Sequence, residues 1–126
     1  MTLKVLHVLD HSIPLHSGYT FRTLSLLREQ RKLGWQTVHL TSPKHTAAQF
    51  APEETVDGWH FYRTAAAPAG LLDRLPAFGG VAQMQALMRQ LQNRLLELVR
   101  HEKPDLLHAH SPVLNAIPAL RVGQQL

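Results

Sequence analysis

At 126 residues, with 44% hydrophobic and 17% charged residues, the chain has the length and composition of one globular domain able to bury a core, and not those of a disordered segment. It has no cysteine, which excludes disulfides, thiolate metal sites and cysteine nucleophiles, and it has no apolar run of the about 18 residues that cross a membrane as a helix. The formal charge of +4 favours anionic partners, but Lys and Arg are dispersed, so nucleic acid is not an expected partner.

The elements follow in chain order. Leu3 to Leu9 is a short apolar run ending at Asp10, the pattern of a strand buried on both faces of a parallel sheet. Asp10 to Gly18 is a loop, with Pro14 and Gly18 as its punctuation. A helix is expected from Thr20 to Leu33, with Thr20 as N-cap and Gly34 as stop. Trp35 to Thr41 reads as a second strand, and residues 44–57, lacking a period, as loop or a short irregular helix. Gly58 to Thr64 reads as a third, aromatic-rich strand, and Ala65 to Gly80 as a long loop. Val81 to Arg100 repeats apolar residues at helical spacing, Leu106 to His110 reads as a fourth strand, and Asn115 to Leu126 as a further helix. Strands alternating with helices predict an α/β fold: a three-layer, Rossmann-like open parallel sheet of about four strands.

In such a sheet ligands bind beyond the carboxyl ends of the strands, where the strand order reverses beside the first strand. If strands one and four flank that point, two polar loops meet there, Asp10 to Thr20 and His110 to Asn115. Ser17, Gly18 and Tyr19 stand before a helix whose N-terminus favours an anion such as phosphate. The glycine spacing of a dinucleotide fingerprint and the Lys of a phosphate-cradling P-loop are both missing. The chain has nine histidines. His108 and His110 lie two apart on one side of a strand. His108 is read as a hydrogen-bonded core histidine. His110, nearer the crevice, reads equally as a structural residue or as one that bonds a sugar oxygen or exchanges a proton. His7, His11, His16, His108, His110 and Asp10 could approach a metal, but ligand pairs at helix or knuckle spacing are absent and no metal is expected. His39, His45, His60 and His101 are read as structural or solvated.

Lys4 to Leu9, Ser17-Gly18, Leu33-Gly34-Trp35 with Val38 to Thr41, and above all Pro104-Asp105-Leu106-Leu107-His108-Ala109-His110-Ser111 resemble the N-terminal domain of family 4 glycosyltransferases, which have the two-domain GT-B fold. The first loop is similar to that of a bacterial subgroup associated with exopolysaccharide and exosortase systems. The resemblance implies a retaining, hexosyltransferase-type enzyme that moves a sugar from a nucleotide diphosphate sugar to a sugar or lipid-linked acceptor without a cofactor. It assigns His110 to the reacting centre. Gly18 falls on the loop near the donor diphosphate, with Ser17 where the family often has a second glycine. Asp10, His11, Ser17, Gly18, Tyr19, Ser111 and Asn115 are the expected substrate and diphosphate contacts.

It implies further that residues 1–126 are a truncated acceptor-side domain, inactive alone, with the C-terminal donor-binding domain absent. A cytoplasmic location, a peripheral contact with membrane, and a homodimer through an exposed sheet edge are the remaining expectations. The alternative is a stand-alone flavodoxin-like module that binds a phosphorylated ligand.

Overall fold

The computed structural model describes residues 2–46, 49–66, 79–111 and 114–125. Its elements are β1 (Lys4–Leu9), α1 (Gly18–Lys32), β2 (Gln36–Thr41), β3 (Glu53–Val56), β4 (Trp59–Arg63), α2 (Gly79–Glu102), β5 (Leu106–Ala109) and α3 (Ala116–Gly123). The five strands form one sheet in the order β3-β4-β2-β1-β5. Pairings β1–β2, β1–β5 and β2–β4 are parallel, and β3 joins β4 antiparallel at an edge. The fold is therefore the expected Rossmann-like α/β sheet. Strand order reverses at β1, between its neighbours β2 and β5, and open parallel sheets bind ligands beyond the carboxyl ends of their strands at such a point.

Side chains alternate between the two faces of the sheet. Leu6, Val8, Val38 and Leu40 point to one face and pack against Leu91, Leu95, Leu98 and Val99 of α2 and Ala119 and Val122 of α3. This is the main core, and the expected helical period of α2 is what fills it. The opposite face carries His7, Leu9, His39, Thr41 and Phe61 beneath α1, with Leu9, Ile13, Leu24 and Phe61 as a smaller apolar cluster. Helices on both faces give the three expected layers.

Three boundaries differ from the sequence reading. Residues 53–56, expected as loop or irregular helix, form edge strand β3. Its turn is Asp57-Gly58, with φ of 51° and 81°, and Val56 pairs with Trp59 across it, the two-residue hairpin geometry that Asp-Gly favours. Helix α1 starts at Gly18, because Ser17 rather than Thr20 is the N-cap. Ser17 Oγ accepts from the Thr20 N–H at 3.2 Å, and the Ser17 N–H donates to Thr20 Oγ1 at 3.0 Å, a reciprocal capping box. Helix α2 starts at Gly79, two residues before the expected Val81. The expected loop 65–80 falls largely outside the described residues. The stop of α1 is as read: Gly34 has φ 85°, its N–H donates to the Arg31 carbonyl at 3.0 Å, and Trp35 N–H donates to that of Gln30 at 3.1 Å.

Candidate functional site

The parallel register sets His39, His7 and His108 side by side on adjacent strands, all on the α1 face. His110 continues that row past the end of β5, its N–H donating to the Val8 carbonyl at 3.0 Å. His7 is fully buried at the centre. Its Nδ1 lies 2.8 Å from His110 Nε2, and its Nε2 lies 2.7 Å from Gln30 Oε1 of α1. His39, also buried, donates from Nδ1 to the His60 carbonyl at 2.7 Å and accepts at Nε2 from Thr37 Oγ1 at 2.8 Å. Burial lowers His7 to about 4 and both His39 and His110 to about 3, because a buried imidazolium loses its hydration. All three are neutral hydrogen-bonding groups at pH 7.

His108 departs from its reading as a hydrogen-bonded core residue. Strand β5 is an edge that α1 does not cover, so His108 is exposed, and it stacks on His110 at 4.1 Å with an interplanar angle of 17°. Among the described residues His7, His108 and His110 form one group whose ligand atoms lie within 4.8 Å of one another. An ion would have to lie in the plane of each ring, along its lone pair. Two rings stacked nearly parallel cannot both offer that, so the trio stands as a hydrogen-bonded and stacked set rather than a coordination shell.

The first loop and the β5–α3 connection do converge. The Tyr19 phenol accepts from the Asp10 N–H at 3.0 Å, and its ring stacks on His11 at 4.8 Å. Burial raises the Tyr19 pKa, opposed by the Asp10 N–H and by the nearby Ser111 side chain, so Tyr19 sits where the two loops meet. His11 Nε2 lies 3.0 Å from Ser17 Oγ. Among the described residues, Asp10 Oδ1 is buried without a partner, and a Cβ added at Gly18, at the head of α1, would meet nothing within 4 Å. Asn115 is fully buried, its Nδ2 donates at 3.3 Å to the Val8 carbonyl that also accepts from the His110 N–H, and its side chain does not cap α3.

Three site residues were not singled out from sequence. Gln30 looked like one polar position among many on α1, yet it is buried against His7. Arg22 holds its positive charge near His108 and His110 and adds to burial in disfavouring their protonation. Arg63 is 4% exposed and pairs with Glu54 at 2.8 Å, while it donates to Ser12 Oγ at 2.6 Å and the Ile13 carbonyl at 3.1 Å. It ties the β3–β4 hairpin to the first loop. A basic residue at the end of an aromatic strand was the available signal.

Residues 17–126 match the family model described as a glycosyl transferase 4-like domain. The chain belongs to that family. The matched span of this glycosyl transferase 4-like domain includes Gly18, Gln30 and His110 and starts beyond β1, so the Asp10 and His7 side of the crevice is argued from the structure alone. Membership supports a role in glycosyl transfer. No curated protein matches the chain. Among the described residues no helix is long and apolar enough to cross a membrane.

Proposed function

We propose that this domain forms the acceptor-side wall of a retaining glycosyl-transfer site. The donor is a nucleotide diphosphate sugar held by a second domain, and the acceptor is a sugar or lipid-linked sugar of bacterial polysaccharide synthesis. The observation that carries the reading is the strand-order reversal between β1 and β5, with the uncluttered N-terminus of α1 on one side and neutral His110 on the other. The first turn of α1 contains no acidic residue, and Ser17 occupies only the Thr20 N–H. The amides of Gly18 and Tyr19 and the positive helix end then favour a diphosphate. His110, uncharged at pH 7, suits a sugar hydroxyl and fixes the reacting centre by a hydrogen bond.

The Gly18→Val variant of the full transferase tests this. The space beside Gly18 is open, so the variant is expected to unfold within about 0.5 kcal/mol of the parent. Transfer from the nucleotide sugar should fall at least 100-fold, chiefly through a higher donor KM. Undiminished transfer would sink the assignment of the diphosphate to this helix end. His110→Ala should lower kcat by a further route, roughly 100-fold, with little change in donor KM.

A further inference from the structure

Two hydrogen bonds lead from the buried side of α1 through β1 to the crevice: Gln30 Oε1 to His7 Nε2 at 2.7 Å and His7 Nδ1 to His110 Nε2 at 2.8 Å. Their chemistry fixes where the protons sit. A carbonyl oxygen can only accept, so His7 carries its proton on Nε2. His7 has no exposure to water and is neutral at pH 7, which leaves its Nδ1 bare. A bare nitrogen 2.8 Å from His110 Nε2 needs a proton between the two, so that proton belongs to His110. The neighbouring histidines do not compete for it. Both ring nitrogens of His39 are committed to the His60 carbonyl and to Thr37, and His108 meets His110 by stacking.

We propose that Gln30 is a positioning residue that holds His110, through His7, as the Nε2–H tautomer. The inference rests on the transfer reading only for its consequence. His110 then keeps no free ring N–H, and its remaining nitrogen, Nδ1, is an acceptor. The group it recognises must itself donate a hydrogen bond. A sugar hydroxyl qualifies and a phosphate oxygen does not, which divides the crevice into a hydroxyl end at His110 and an anion end at Gly18.

The test is long-range 1H–15N correlation of the histidine rings at pH 7 in this chain. His7 and His110 are both expected as Nε2–H. Gln30→Met removes the acceptor and should shift His7 and His110 toward Nδ1–H, with a roughly 10-fold loss of kcat and an unchanged donor KM in the full transferase. His110 found as Nδ1–H in the parent chain, or ring signals unaltered in Gln30→Met, would overturn the proposal. The expected tautomers without any sugar transfer would fault the transfer reading and leave the Gln30 assignment standing.

Discussion

The two faces of the sheet solve the same burial problem with different chemistry. Beneath α2 and α3 the contacts are Leu6, Val8, Val38 and Leu40 against Leu91, Leu95, Leu98 and Val99, all of them aliphatic. Beneath α1 the central positions are His7, His39, Thr37 and Thr41, and three of the five buried α1 residues, Thr20, Thr23 and Gln30, are polar. The first face is held by non-directional burial, which tolerates repacking. The second adds to a smaller apolar cluster a set of hydrogen bonds that each demand a partner at a fixed place and proton state. A face of that kind gives up adaptability and gains fixed donors and acceptors, which is what the crevice at its end requires.

Leu95→Ala breaks the comparison on its aliphatic side and should have the largest effect. Leu95 is fully buried, and the cavity should cost about 2–5 kcal/mol, read as a lower urea midpoint. The penalty should be the same at pH 7.5 and pH 5, because the buried cluster around Leu95 is aliphatic. A negligible shift would mean that α2 does not carry the main core.

Acid should break the other side. His7 and His39, held at about 4 and about 3, stay neutral in the fold but gain protons below pH 6.5 once unfolded. The unfolded chain thus binds more protons in that window, and stability falls as pH falls. At about 1.4 kcal/mol per pKa unit, His7 alone accounts for roughly 2–3 kcal/mol by pH 4.5. His7→Met should flatten that part of the profile. A urea midpoint constant from pH 7 to 4.5 would contradict the buried, neutral state.

The smallest effect sharpens the contrast between the helices. Helix α1 buries fewer apolar groups than α2, so its N-terminal cap contributes a visible share of its stability. Ser17→Ala should cost about 1 kcal/mol by thermal unfolding. A penalty below a few tenths would show that packing on the histidine face already fixes the helix start.

The sequence was legible where burial is two-sided and periodic. After Lys4, strand β1 is an apolar run interrupted only by His7, β2 alternates Val38 and Leu40 with Thr37, His39 and Thr41, and α2 repeats Leu on one stripe, so their identity and the sheet class follow from pattern alone. Strand β3 was not legible because Glu-Glu-Thr-Val lies at an edge and buries little, and only Asp57-Gly58 announced the hairpin. In the site, Tyr19, Asp10, Ser111 and His110 were foreseeable from topology, since loops after neighbouring strands must meet. The partnership of His7 with His110 was not, because it depends on a register between segments far apart in the chain. His108 and Asn115 show the same limit in opposite senses. One lies open on an edge strand where a core residue was expected, and the other, at the N-cap of α3, is fully buried, which its place in a polar loop did not announce.

The wide sequence separation of His7 and His110 has a consequence for how the domain is made. His7 and its β2 neighbour His39 are 32 positions apart, whereas His7 and His110 are 103 apart. Closing the longer segment costs only roughly 1 kcal/mol more in chain entropy. The β1–β2 pairing closes a short segment through α1, whereas the β1–β5 pairing closes a long one through α2. The candidate site thus depends on the longest-range pairing in the sheet, the kind of contact that raises contact order and slows folding.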